Sequence, residues 1–445
     1  MYPLKATAFT DLNSDFYSIL LHNATLGTYI YKNDIMNIPS KFVFSELYLC
    51  KKRTFIVKVL KNELFDEFKC LAGECPETCC YGWRIIVDDE TKKRILEKDG
   101  IWGKCLRLSL SGPDKNYFNY DSGSCIFHGI NGLCNVQKKL GVEYMPEICR
   151  KYPREIRNYG SFATKHLDLS CVHVSQMLLT RQQRPALIEC DEECERDRHG
   201  SNDDPQFEEI VLISQKEIIQ MLNVKPQLLF DPATMDRILH SLLAYCQYAQ
   251  DTVLAHKDMK LTKEDGMPSY FYELCKSDDM PDAGRTYFPL PIMALNRLIN
   301  TQFDLQDSRP FSMINRTIEW YHHKFDLKTE IEGQKVWTKM VKDFLREDPS
   351  RMEAILRYLQ YDVQQCYAEI YENYSFVHFA VSAIMHVNMF LFLMVNYNRK
   401  KKLTLDSMAK LLSAYERAAC HNLGLQKDMY AIVCDYLPIQ TLELG

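Results

Sequence analysis

The residues in this chain with the clearest chemical potential are its cysteines. Eight of the 17 lie between Cys70 and Cys149, and four of those, Cys70, Cys75, Cys79 and Cys80, fall in the single run FKCLAGECPETCCYGW. Spacers of four and three residues let one chain turn back and present successive sulfurs to one metal centre, and Gly73, Pro76 and Gly82 supply the turns. A second group follows in CIF at Cys125, GLC at Cys134 and CRKYPR at Cys149. Two thiol-bearing segments are enough to close one site. Zinc accepts four thiolates at such spacings, as does an iron-sulfur cluster; the surplus of thiols over four favours iron and sulfide, with zinc as the alternative. Adjacent Cys79 and Cys80 point apart in an extended chain, so one of the two is expected to support the site rather than ligate. Cys105, Cys190 and Cys194 lack companion motifs and read as spectators.

The elements that must position these thiols divide the chain into four parts. Residues 1–63 form an N-terminal extension with short β-branched and aromatic runs, Lys41–Phe44 and Thr54–Leu60, that predict strands or a hairpin. Residues 64–180 are rich in Cys, Gly and aromatics without a long helical period, as in a small domain organised by its ligands. Residues 181–204 include CDEECERDRHGSNDD and read as an acidic, solvated linker. Residues 205–445 are helical. Three helices are expected to start with an Asp N-cap and a first-turn proline, at Asp204-Pro205, Asp231-Pro232 and Asp348-Pro349. Apolar stripes follow, such as Met235, Ile238, Leu239, Leu242, Leu243 and Cys246. Two further helices fit 408–415 and 429–437. The fold class is therefore mainly α, a small Cys-rich metal-binding domain packed on a helical C-terminal unit, with a short β hairpin at the N-terminus.

At these cysteines the chain resembles the flagellin lysine-N-methylases, which are related to the zinc- or iron-chelating CxxCxxCC-type proteins. The resemblance covers roughly residues 65–180. It rests on F-K-C-x4-C-x3-C-C-x-G-W, on Asp88 and Glu90-Thr91, on C-I-F with G-L-C-N-V-Q, on C-R-K-Y-P-R and on Leu169-Ser170-Cys171. Val172 departs from the pattern, where a proline is expected, and the first 60 residues have no counterpart in it. The resemblance implies transfer of methyl groups from S-adenosylmethionine to the ε-amines of lysines on flagellin, in the cytoplasm, by an enzyme with a 4Fe-4S cluster. No G-x-G occurs in the chain, so the glycine-rich loop of a Rossmann-type methyltransferase is missing and the methyl donor must be bound differently. The C-x3-C-x2-C pattern of radical enzymes is also absent, because Gly82 stands at its third position.

The candidate ligands are thus Cys70, Cys75, Cys79, Cys80, Cys125, Cys134, Cys149 and Cys171. Arg150 and Arg154, beside Cys149, are candidates for the carboxylate of the cofactor; a solvated cationic face is the plainer reading of the same residues. His128, His166 and His173 read first as structural. Tyr81, Trp83, Tyr117, Phe118 and Tyr120 fit either a desolvated channel for a lysine side chain or the apolar shell of a metal site. A net charge of −5 without a clustered excess of Lys and Arg argues against nucleic acid as a partner. Met1–Lys5 shows no secretory signal, which makes a reducing cytoplasm the expected compartment. Residues 377–397 are apolar enough to suggest a membrane span, but His378, Ser382, His386 and Asn388 within them favour a buried core helix over peripheral membrane contact through the basic run at 399–402. The rival reading is a noncatalytic zinc or iron-sulfur protein acting as a redox sensor or interaction module.

Overall fold

The computed structural model describes residues 54–121, 123–195, 204–223, 232–255, 286–300, 309–322, 330–419 and 423–437. The expected strand at Lys41–Phe44 and the Asp231 cap lie outside them. The strands are β1 (Thr54–Asn62), the two-residue strands β2 (Leu110–Ser111), β3 (Tyr117–Phe118), β4 (Tyr120–Asp121) and β5 (Ser124–Cys125), then β6 (Arg154–Asn158), β7 (Phe162–Leu167) and β8 (Leu187–Glu195). Short helices carry the cysteine-rich part: α1 (Leu64–Glu67), α2 (Asp89–Glu97), α3 (Gly100–Leu108), α4 (Asn135–Leu140), α5 (Glu147–Lys151) and α6 (Val172–Thr180). The remainder is helical, with α7 (Pro205–Met221), α8 (Pro232–Leu254), α9 (Ile292–Asn300), α10 (Arg309–His322), α11 (Glu330–Glu347), α12 (Ser350–Cys366), α13 (Ile370–Asn373), α14 (Phe376–Asn398), α15 (Leu405–Ala419) and α16 (Leu423–Cys434). The described chain is mainly α, as the sequence predicts.

One four-stranded sheet, in the order β6-β7-β1-β8, brackets the cysteine-rich segment. β1 pairs parallel to β7, with Val59 opposite Ala163, and antiparallel to β8, with Val59 opposite Cys190. The expected N-terminal strand therefore exists at Thr54–Asn62, but its partners come from more than 100 residues downstream rather than from a hairpin. β8 occupies part of the acidic stretch read as a solvated linker. Its carboxylates are tolerated because lysines from neighbouring elements meet them: Lys61 lies 2.8 Å from Glu192, Lys165 also pairs with Glu192, and Lys216 lies 2.5 Å from Glu189. Hydrogen bonds from Lys165 and Lys61 hold the Glu192 carboxyl down at about 2.

The α7 start follows the expected chemistry, with the Asp204 side chain accepting from Phe207 N at 3.0 Å. The third such helix begins one residue later than its sequence suggests, at Ser350, with Asp348 Oδ1 accepting from Ser350 N at 3.0 Å. At the centre of the bundle lies α14, which packs against α8, α10, α11, α12, α15 and α16. Among the described residues it is the one helix long and apolar enough to cross a membrane, and its side chains fill the bundle core instead. Its polar residues have partners there. Asn388 Nδ2 donates to the Tyr287 carbonyl at 2.8 Å and its Oδ1 accepts from Leu290 N at 2.8 Å, while His386 Nδ1 lies 3.2 Å from the Tyr358 hydroxyl. These bonds remove the cost of burying amide and imidazole groups, which accounts for such residues in an otherwise apolar helix.

Candidate thiol site

The cysteine-rich segment has its own small core of Ile85, Val87, Ile95, Leu106, Leu110, Phe118, Phe127 and Val136. Four thiols from three stretches of chain belong to it: Cys125 is buried inside, and Cys80, Cys134 and Cys149 pack against it. The backbone sets this gathering. Cys125 N donates to the Cys80 carbonyl at 2.9 Å, His128 N to the Cys125 carbonyl at 2.9 Å, and Asn135 N to the Phe127 carbonyl at 2.8 Å. Gly132, at φ +77°, passes so close to Gly73 that a Cβ there would sit 3.4 Å from the Gly73 carbonyl oxygen. The two cysteine loops thus meet backbone to backbone.

Cys149 is placed from a distance by Asp88. The Asp88 side chain caps α2 by accepting from Thr91 N at 2.9 Å, and its second oxygen accepts from Glu147 N at 2.7 Å at the start of the helix that carries Cys149. One aspartate therefore fixes two helix N-termini. Burial raises the Cys125 thiol to about 12 and also raises Cys134 and Cys149; charge on Cys80 adds to each. Cys80 itself is lowered to about 7, chiefly by its hydrogen bond with Cys79, with Thr78 and Arg417 contributing. Three thiols whose ionisation is made costly by burial and by charge on the fourth, Cys80, are donors that a thiophilic cation would favour in the thiolate form. Their positions do not by themselves close on an ion: among the described residues no group of three or more His, Cys, Asp or Glu side chains stands ready to hold one.

Of the other candidate ligands, Cys79 stays beside Cys80, to which it is hydrogen-bonded, and within reach of the Cys149 charge, whereas Cys70, Cys75 and Cys171 are not part of that small core. Cys70 and Cys79 are exposed, Cys75 donates to the Glu77 carbonyl at 2.9 Å, and Cys171 is buried at the N-cap of α6 within the large core. Burial raises Cys75, with charge on Cys70 adding to it, and burial takes Cys171 to about 11, with charge on Cys75 adding a smaller share. Arg154 is committed locally, donating to the Phe68 carbonyl at 2.8 Å with its guanidinium 5.0 Å from the Phe68 ring centre. Arg150 is exposed on α5. Around the thiols, Trp83 Nε1 donates to the Cys79 carbonyl at 2.5 Å, its ring lies 5.7 Å from that of Tyr152, and the Tyr120 hydroxyl accepts from Gly82 N at 2.7 Å. Phe118 packs edge-on to Phe127 at 4.9 Å. His128 meets the Tyr81 ring at 5.2 Å, and His166 Nε2 lies 3.0 Å from Glu155.

One residue at this site escapes the sequence reading. Arg417 comes from α15 in the helical unit, donates through Nε to the Ser170 carbonyl at 2.8 Å and through Nη1 to the Thr78 carbonyl at 3.4 Å. Burial opposes its charge, and Tyr152, Glu77, Cys79 and Cys171 more than offset that. Glu77 lies in the same loop with a buried Oε2 that has no hydrogen-bond partner among the described residues, and burial raises its carboxyl above the usual range. A stripe of thiols in sequence gives no signal for either residue's role.

No protein-family profile matches the chain, and no solved structure matches it. Among curated proteins, it is 27% identical over 141 residues to the flagellar biosynthetic protein FliU of Salmonella muenchen, spanning 30% of this chain and 83% of that protein. It is equally similar to the proteins named lysine-N-methylase of Salmonella typhimurium and Salmonella choleraesuis, where the 141 residues span 35% of each. The expected resemblance therefore holds at the level of shared sequence: over about 30% of its length this chain is similar to proteins named lysine-N-methylase and to a flagellar biosynthetic protein.

Proposed function

We propose that the protein methylates ε-amines of lysines on flagellin in the cytoplasm, with S-adenosylmethionine as methyl donor, and that Cys80, Cys125, Cys134 and Cys149 hold a 4Fe-4S cluster. The observation that carries this reading is the gathering of those four thiols on one small core in a chain related to lysine-N-methylases. Bound there, a 4Fe-4S cluster supplies an anionic redox centre whose properties its apolar surroundings set. Zinc at the same thiols is the alternative occupant.

The chain's own residues supply the rest. A lysine amine must lose its proton to accept a methyl group by displacement, and its ordinary value near ~10.4 falls where burial disfavours the ammonium. Trp83, Tyr152 and Tyr120, half-buried rings beside the thiol loop, supply apolar surface that disfavours an ammonium. Glu77 Oε2, buried and without a partner among the described residues, is an acceptor available to an incoming amine.

Two measurements test the reading. Protein purified without oxygen should carry about four irons and four acid-labile sulfides per chain. Incubation with flagellin and methyl-labelled S-adenosylmethionine should place label on lysine. Absence of label from flagellin under conditions where the metal is loaded would overturn the function; one zinc and no iron would overturn the cluster alone.

A further inference from the structure

The Arg417 guanidinium has five N–H donors, and two of them are used, on Ser170 and Thr78. Among the described residues it forms no ion pair. It nevertheless faces Cys75, Glu77, Cys79, Tyr152 and Cys171, all groups that are neutral or negative. The nearest comparable cation on the same helix, Lys410, is already paired with Asp406 at 2.8 Å. Arg154 is spent on Phe68, and Arg150 stands in solvent, where water competes for any anion it meets. Arg417 is thus the guanidinium that is fixed in direction by two backbone carbonyls and still has donors to offer beside the thiols. Its two bonds come from Nε and Nη1, so among the described residues Nη2 has no protein acceptor, and a planar guanidinium edge matches a carboxylate at two points.

We propose that Arg417 binds the carboxylate of the methyl donor, so that the helical unit rather than the CRKYPR segment supplies the donor's anion contact. The inference rests on the methylase reading. It places the carboxylate of the donor between α15 and the Cys75–Cys80 loop. The cation is held by helix-borne packing and by carbonyls on both sides of the loop, so its direction is set before the ligand arrives.

Isothermal titration of the intact, metal-loaded protein with S-adenosylhomocysteine, and with its analogue whose carboxylate is converted to an amide, tests this. The wild type should bind the carboxylate form on the order of 10- to 100-fold more tightly, as expected for a charged hydrogen-bonded pair. Arg417→Gln should bring the two affinities together, and Arg417→Lys should restore part of the difference. A wild-type preference that survives in Arg417→Gln, or that vanishes in Arg150→Gln instead, overturns the assignment while leaving the methylase reading intact. Failure of the wild type to bind either ligand overturns both. Should the Gln variant not fold, phenylglyoxal modification of the wild type, mapped by mass spectrometry, gives the same decision: S-adenosylhomocysteine should protect Arg417 and the amide should not, and equal modification with and without the ligand overturns the assignment.

Discussion

Arg417 Nε lies 2.8 Å from the carbonyl oxygen of Ser170, across 247 residues of sequence. This bond ties the last part of the helical unit to the residue that precedes Cys171, and the second bond, to Thr78, reaches the loop carrying Cys79 and Cys80. α15 also packs along α6, whose N-cap is Cys171. The thiol loops and the bundle are therefore one structure at this point.

The four thiols that share the small core should behave as a set. Serine at Cys80, Cys125, Cys134 or Cys149 is expected to lower bound metal per chain several-fold in each case, whereas Cys105→Ser, on the exposed side of α3, should leave it unchanged. Metal analysis of the five purified variants checks this. Equal loss in Cys105→Ser would show that the cysteines act only through general folding.

Cys80 should be the most readily alkylated of those four in metal-free protein. Its thiol titrates at about 7 while Cys125 is held near 12, so its iodoacetamide rate should rise through neutral pH and level off near pH 8. Thr78→Val removes the hydroxyl whose hydrogen bond favours the Cys80 thiolate and should move the midpoint upward. Peptide mass mapping at a series of pH values reports both.

Asp88→Ala should destabilise the protein by about 2 kcal/mol, the sum expected for losing an N-cap and a second backbone contact. Urea unfolding measures the change. Because the second contact starts the helix of Cys149, the same variant should also bind metal less tightly than Asp204→Ala, which loses only the α7 cap.

Gly129 stands between Cys125 and Cys134, and a Cβ on it would come within 2.8 Å of the Leu133 carbonyl oxygen. That carbonyl belongs to backbone held by Gly129 N at 2.9 Å, so it cannot turn away cheaply. Gly129→Ala is expected to cost roughly 1–3 kcal/mol, as overpacking does, and to lower metal content. Thermal unfolding with metal analysis checks it.

A buried acid in the bundle predicts a pH dependence unrelated to the thiols. Burial, with Glu416 adding its charge, raises Asp362 from its ordinary 3.8 to about 7. The folded state then holds a proton that the unfolded state releases, so stability is lost as pH climbs from about 4 to 7 and is flat above that. The span corresponds to up to roughly 4 kcal/mol. Asp362→Asn should flatten the unfolding free energy across that window; an unchanged slope would place the titration on another group.

Much of this arrangement is legible in the chain because its causes are local. The Cys70–Cys80 spacing, the turn glycines and the Asp204 cap depend on residues a few positions apart, and the polar positions of α14 already argue against a lipid environment. Arg417 was not legible, since its partners at Ser170 and Thr78 are 247 and 339 residues away. β8 was hidden for the same reason: a run such as Glu189-Cys190-Asp191-Glu192 reads as solvated until Lys58, Lys61, Lys165 and Lys216 are brought to it by folding. The division of eight candidate thiols into a shared core of four and an outer set is likewise a matter of pairing between distant loops. Spacing reports which thiols are close in sequence, and only the sheet and the small core report which share an interior.

The parallel pairing of β1 with β7 has a consequence for how the protein survives loss of whatever its thiols hold. The whole cysteine-rich excursion leaves the sheet after Asn62 and returns through β6 and β7, so its two ends are buttoned together by backbone ladders that contain no thiol. In a free-standing metal finger, losing the ion releases the full entropy of an open chain. Here most of that loop-closure entropy has already been surrendered to the strands, and lengthening or loosening the enclosed chain changes it only logarithmically. An emptied site should therefore remain a tethered hoop, ready to be refilled without the protein having to find its fold again.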